Sequence, residues 1–247
     1  MTGLSSLYVS TQPFVLPNSQ TFVGLENYIN GLTTSGFAFA FLRSVWITIA
    51  SVVVIIIFTS MTAWYITRVK SKFTKSLYYL FVFSMIVPFQ MVMYTMTFVV
   101  NTIAFNNVFG IILVYLGFGA GLAVFMFTGF VKSIPVEVEE AATIDGCTPL
   151  QTFFKVVFPM LKSITITVAI LNVMWIWNDY LLPYLILGES QKTIPVAIQI
   201  AMQGAYGATD YGGFMAMLVV AIIPIIIFYI SSQKYIIKGV ISGAVKG

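Results

Sequence analysis

The sequence predicts an all-α, polytopic integral membrane bundle, and three observations carry that prediction. Five apolar runs, 44–66, 77–100, 108–130, 163–187 and 214–233, punctuate the 247 residues, each close to the ~20 residues a helix needs to cross hydrocarbon. Apolar residues make up 59% of the chain and charged residues 8%, where soluble domains run near a quarter charged. A mean hydropathy of +0.97 leaves too little polar surface to coat a globule in water. Finally, the 12 basic residues gather beside the runs in alternate links, the distribution that orients spans.

Residues 1–43 carry only Glu26 and Arg43 as charges and are expected to form an extracytoplasmic segment. They lack a basic start followed by an apolar run, so no cleavable signal is read there. The first run, 44–66, has Trp46 and Trp64 near its ends, as interfacial aromatics stand. The link 67–76 holds Arg68, Lys70, Lys72 and Lys75 and is assigned to the cytoplasm. The second run, 77–100, is expected to kink at Pro88, with Gln90 lining a cavity near the freed carbonyl. The uncharged link 101–107 faces out. In the third run Gly117 and Gly121 form a G-x-x-x-G pair, expected to pack closely on a neighbouring helix.

The link 131–162 returns to the cytoplasm with Lys132, Lys155 and Lys162. The fourth run, 163–187, is alone in containing a charge, Asp179, about 24 Å along its helix from Ser163. An acid at that depth serves either a pathway or a structural hydrogen bond, and Asn172 and Asn178 share the question, while Trp175 either packs plainly or offers its ring face for stacking. The link 188–213, with only Glu189, Lys192 and Asp210 charged, faces out and is long for a connection. The last run is expected to kink at Pro224. Its tail, with Lys234, Lys238 and Lys246, ends in the cytoplasm. The alternation leaves the N-terminus outside, either as a tail that crosses unaided or as the continuation of an upstream helix.

Chemistry is narrowed by what is missing. The chain has no histidine and one cysteine, Cys147. No internal disulfide, cysteine cluster or histidine-based catalysis is available, so no catalytic residue and no metal site is assigned. No phosphate-cradling G-x-x-x-x-G-K-[ST] occurs, so ATP must bind elsewhere. One intramembrane acid and no visible repeat argue against a stand-alone secondary transporter, the alternative class. The net charge of +4 follows topology, and nucleic acid is not an expected partner.

The most informative stretch is EAATIDGCTPLQTFFKVVFP, Glu140 to Pro159. Ser133 is expected to cap a helix with Pro135 in its first turn and Glu137, Glu139 and Glu140 near its positive end. Gly146 ends it, as a residue able to take positive φ. Thr148 and Gln151 then form a capping box around Pro149, and Pro159 stops the second helix. Two short helices at an angle are either a surface-lying connector or a knob for a partner's groove.

This stretch resembles the "EAA" loop of the membrane subunits of binding-protein-dependent ABC importers. Glu140, Ala141, Ala142 and Gly146 match that pattern, nine residues follow, and Val156 and Phe158 stand for the usual aliphatics before Pro159. WNDYLLP at 177–183, the tail from Gln233 to Gly247 and FVGLENYINGL at 22–32 are similar to the carbohydrate branch, above all to the shorter permease of maltose-type transporters. That branch usually has six helices, whereas five runs are visible here, and Cys147 stands where the family often has alanine.

The resemblance implies a single transmembrane domain over 44–247 with its coupling loop at 131–162. It implies ATPase docking through Glu140, Ala141, Ala142, Asp145, Gly146, Phe153 and Pro159. It implies contact with a sugar-binding protein in the 188–213 link, where Gln199, Gln203 and Tyr206 are the candidates. Gln90, Trp175, Asn178 and Asp179 are the candidate pathway residues. The implied partners are a second permease, two cytoplasmic ATPase subunits carrying ATP and Mg, and an extracytoplasmic binding protein, all at a bacterial cytoplasmic membrane.

Overall fold

The computed structural model describes residues 22–34, 36–203 and 211–244, and every element among them is a helix. In order they are α1 (Glu26–Thr34), α2 (Phe37–Arg68), α3 (Lys72–Ser84), α4 (Phe89–Thr102), α5 (Val108–Val131), α6 (Val136–Ile144), α7 (Pro149–Met160), α8 (Lys162–Asn178), α9 (Leu181–Leu187), α10 (Ile194–Gln203) and α11 (Tyr211–Ala244). Three stretches, Phe37–Arg68, Val108–Val131 and Gly212–Gln233, are long and apolar enough to cross a membrane. Two bent pairs raise the number to as many as five, by length and composition.

The second run is not one kinked helix. α3 and α4 meet at 106°, because Pro88 lacks an N–H and steers the residue before it away from helical geometry. α3 ends before it, with the Met85 N–H returning to Val82 and Phe83 carbonyls. α4 begins directly after it, with the Met91 N–H on the Pro88 carbonyl. Pro224, by contrast, lies within the uninterrupted α11.

The fourth run also breaks. Asp179 Oδ1 accepts the backbone N–H groups of Leu181 (3.0 Å) and Leu182 (3.3 Å). A side-chain acceptor offered to free N–H groups ends one helix and starts another, so α8 and α9 replace the continuous helix expected over 163–187. At the other end α2 starts at Phe37, so the expected boundary between 43 and 44 falls inside a helix.

The chain divides into two compact units. One comprises the described residues of Met1–Thr48 with Val100–Ile111 and Trp177–Ile230. Its core gathers Phe37, Trp177, Ile194, Ile198, Ala216, Met217 and Ala221. The Trp177 indole donates to the Ala221 carbonyl at 3.3 Å and takes the edge of Phe41 at 5.9 Å. Arg43 donates to the Lys192 carbonyl (2.9 Å), and the Ser44 hydroxyl accepts the Ile194 N–H (2.8 Å). These two bonds tie the start of α10 to α2, and both lie far apart in sequence.

The other unit comprises Ile49–Val99, Ile112–Ile176 and the described residues of Ser231–Gly247. Here α5 approaches its neighbours through glycine, though not through the expected pair. A Cβ on Gly121 would lie 2.6 Å from Ser84 Oγ and 2.8 Å from the Phe81 carbonyl oxygen, and one on Gly119 would lie 2.8 Å from Ile55. Gly117 has nothing within 4 Å. Close packing therefore runs through Gly119 and Gly121.

Candidate functional site

Two short helices, α6 and α7, form an elbow between α5 and α8, and each turn of it has a local cause. Ser133 does not cap α6, because its hydroxyl donates to the Phe130 carbonyl at 2.8 Å. The chain turns there, buries Ile134, and starts the helix at Val136 after an extended Pro135. The other end is as expected. Gly146 takes φ +82°, its N–H reaches the Thr143 carbonyl, and the Cys147 N–H reaches that of Ala142, each at 3.0 Å. That pair of bonds is the Schellman closure of a helix.

Thr148 and Gln151 then exchange the two bonds of a capping box (3.4 and 2.9 Å). Pro159 does not stop α7, which runs to Met160 and meets α8 at 79°. Instead Phe153–Val157 form a wide π turn, with the Phe158 N–H on the Phe153 carbonyl. Proline cannot donate and its ring crowds the carbonyl four residues back. The wide turn gives that carbonyl room, which accounts for a rare geometry of a kind often found at functional sites.

The elbow is fastened to α2 by a polar lock that the sequence did not announce. Glu139, 8% exposed, accepts from Arg68 Nε (2.9 Å), Arg68 Nη2 (2.7 Å) and Trp64 Nε1 (2.9 Å). Arg68 Nη2 also donates to the Ile134 carbonyl at 2.9 Å. Beneath the lock Phe153 is fully buried against the Trp64 ring (5.5 Å) and packs on Phe154 and Phe158. The one available signal was that Trp64 and Arg68, four apart, share a face of α2.

Of the expected docking residues, Glu140, Ala141, Asp145, Gly146 and Pro159 are exposed, while Ala142 and Phe153 are buried. Phe153 thus faces the chain's own interior. The exposed large apolar groups on α6 and α7 are Val136 (46%), Val138 (37%), Ile144 (86%), Leu150 (58%), Phe154 (46%) and Met160 (46%), none of them among the expected docking residues. A cleft of about 1060 Å³ beside them is lined by Trp64, Arg68, Lys132, Glu140 and Cys147, among others.

The expected pathway residues are divided between the two units. Gln90 is exposed in the first turn of α4. Trp175 meets Tyr115 edge-on at 5.4 Å and, with Phe118 and the buried Asn172, lines a small hollow of about 160 Å³. Asn172 donates to the Val168 carbonyl at 2.9 Å. Asn178 and Asp179 belong to the other unit, where Asp179 makes the helix-capping bonds already described. Gln199 is half-buried on α10, whose Ile194, Val196, Ala197 and Ile198 are buried. Tyr206 and the side chain of Gln203 lie outside the described residues.

Comparison with known proteins gives a consistent picture. The sequence profile of the family described as "Binding-protein-dependent transport system inner membrane component" matches residues 55–242. The chain is 37% identical over 243 residues to a probable starch degradation products transport system permease protein of Thermoanaerobacterium thermosulfurigenes, covering 98% of this chain and 87% of that protein. It is 38% identical over 238 residues to a multiple sugar-binding transport system permease protein of Streptococcus mutans, covering 94% and 84%. It is 33% identical over 229 residues to the melibiose/raffinose/stachyose import permease protein of Bacillus subtilis, covering 91% and 82%. In fold it resembles a chain from the crystal structure of a bacterial ABC transporter involved in the import of the acidic polysaccharide alginate. That match has a TM-score of 0.78 at 22% identity and covers 95% of this chain and 87% of that one.

Proposed function

The chain belongs to the family of binding-protein-dependent transport system inner membrane components, and from that premise we propose that it is the permease subunit of an ATP-driven sugar importer, seating one ATPase subunit on the α6–α7 elbow. As a family member it is a multi-pass cell membrane protein whose transport depends on a separate binding protein. Starch products, multiple sugars and melibiose-type oligosaccharides in the names of its relatives support the substrate class.

The observation that carries the reading is the two-sidedness of the elbow. Its inner face is tied to α2 through Glu139, Arg68, Trp64 and Phe153. Its outer face offers Ile144, which lines one cleft with Glu140, and α7 adds the exposed Leu150 and Phe154. A few apolar anchors ringed by charge are the usual currency of helix-in-groove recognition. A displacement of the outer face by the ATPase passes through the lock to α2 and through the 79° junction to α8.

In this scheme ATP and Mg reside on the ATPase, of which two copies serve a pair of unlike permeases. The C-terminal tail is cytoplasmic. Closure of the ATPases moves both permeases between inward- and outward-facing forms, and sugar passes from the extracytoplasmic binding protein into the cavity between them. Trp175, which is 40% exposed, and Gln90 are the pathway residues we assign to the sugar, since aromatic faces stack on sugar C–H groups. Asp179 and Asn178 act at the α8–α9 break, and Gln199, Gln203 and Tyr206 are assigned to contact with the binding protein.

The chain's single cysteine provides the test, because Cys147 sits on the elbow and lines its cleft. Maleimide modification of Cys147, read by peptide mass spectrometry, should slow about tenfold when the ATPase is added to nine-tenths occupancy. Glu140→Lys should restore the rate while the bundle melts as before. Equal rates with and without the ATPase would mean that the elbow is not its seat.

A further inference from the structure

A second hollow, of about 450 Å³, opens where the end of α2, the start of α3 and the last turns of α5 come together. Lys70, Lys72, Lys75 and Lys132 line it with Tyr78 and Thr128, and no acidic residue does. Among the described residues the ion pair in this region joins Arg68 to Glu139, and none of the four lysines pairs with a carboxylate. Lys132 instead stands 5.8 Å over the Tyr78 ring. Thr128 is 3% exposed, and its hydroxyl is buried without a hydrogen-bond partner.

Topology alone asks for lysines near the ends of spans. It does not ask that Lys132, from α5, converge with three lysines of the α2–α3 corner on one hollow. Nor does it account for an unsatisfied hydroxyl there, which costs free energy unless a partner arrives. Four like charges around a concavity repel one another and attract an anion.

The α3 helix indicates what kind of anion. Lys72, Lys75, Tyr79 and Phe83 recur at helical spacing on one face. They run from charge to aromatic to apolar over about 16 Å. Tyr79, Leu80 and Phe83 are all well exposed. A free phosphate has no use for that apolar continuation, whereas a phospholipid has a headgroup for one end and acyl chains for the other.

We propose that the α2–α3 corner is a binding site for an anionic phospholipid. Its headgroup phosphate sits among Lys70, Lys72, Lys75 and Lys132 with the Thr128 hydroxyl available to one oxygen, and its chains lie along Tyr79 and Phe83. Basic clusters beside a span attract anionic headgroups at roughly fivefold per lysine. Lys70 and Lys132 also line the cleft beside the elbow, but the site needs only a membrane and does not rest on the transport reading.

The test is native mass spectrometry of the full chain in its assembled complex, loaded with equal amounts of phosphatidylglycerol and phosphatidylcholine of identical acyl chains. The wild type should retain phosphatidylglycerol over phosphatidylcholine at least ~25-fold, since its lysines act at roughly fivefold each. Lys70→Gln with Lys132→Gln should erase the preference by roughly fivefold per lysine removed. Thr128→Val should weaken it with helicity unchanged, and Lys155→Gln, outside the hollow, should leave it intact. Equal retention of the two lipids by the wild type overturns the proposal. So does a preference that survives the double variant, or displacement of phosphatidylglycerol by millimolar inorganic phosphate, which would mark a free-anion site.

Discussion

Glu139→Gln isolates the lock that holds the elbow. The carboxylate accepts three hydrogen bonds, two from Arg68 and one from Trp64. A glutamine keeps one acceptor oxygen and removes the charge opposite the guanidinium. Removing one partner of a fully buried ion pair costs ~3–5 kcal/mol, while exposed pairs are worth about 0–1 kcal/mol. The Arg68 and Glu139 side chains are 18% and 10% exposed, nearer the buried case, and Arg68 retains the Ile134 carbonyl. The expected cost is therefore about 2 kcal/mol. Borne by local opening of the elbow, that raises the open population about 30-fold. Hydrogen exchange on the complex in nanodiscs should show Val136–Ile144 exchanging faster by that factor, with α5 unchanged. Sugar taken up per ATP hydrolysed should fall while hydrolysis continues. Arg68→Met combined with Glu139→Leu removes both charges and should recover most of the protection. If Glu139→Gln leaves exchange in Val136–Ile144 within about twofold of wild type, the pair does not hold the elbow and the reasoning fails.

Two other pairs of variants separate neighbours that the sequence cannot tell apart. Phe153→Ala should destabilise the bundle by ~3–5 kcal/mol, as loss of a fully buried ring does. Phe154→Ala should change stability by less than about 1 kcal/mol and weaken ATPase binding instead; thermal melting alongside an ATPase titration decides, and equal melting of the two variants contradicts the packing. Gly121→Ala should cost ~1–3 kcal/mol by driving a methyl into Ser84 and the Phe81 carbonyl. Gly117→Ala, with open space around it, should be neutral or stabilising by up to ~1 kcal/mol from helix propensity, as chemical denaturation of the two would show.

What was legible in the sequence was local. The Gly146 closure and the Thr148–Gln151 box rest on residues within one turn of each other, and both form as read. The apolar runs at 44–66, 108–130 and 214–233 lie in single helices, the last of them despite Pro224. The other two runs break at Pro88 and Asp179, whose local bonding overrides the apolar pattern. Pro88 opens a helix instead of bending one, and Asp179 offers its carboxylate to backbone N–H groups that a continuous helix would have used itself. The lock was out of reach, since Arg68 and Glu139 stand 71 residues apart and no periodicity links them. The facing of Phe153 and Phe154 was out of reach for another reason. A helical wheel assumes 3.6 residues per turn, and the π turn at Phe153–Val157 shifts the phase of every side chain after it.

Helix geometry gives the E-A-A stretch two readings at once. Successive residues of α6 point about 100° apart, so Glu139 and Ala142, three apart, share the inner face, and both are buried. Glu140, Ala141 and Ile144 point outward and are exposed. Ala142 is buried, and its carbonyl takes the Cys147 N–H. The two adjacent glutamates therefore do opposite work. One fastens the elbow to α2, and the other remains exposed beside Ile144 on the proposed seat. Stiffness toward its own helix and openness toward a neighbour are the two properties a force-transmitting part requires, and a single nine-residue helix supplies both. Neutralising position 139 should thus loosen an elbow that still meets its partner, whereas reversing position 140 should leave a rigid elbow unseated.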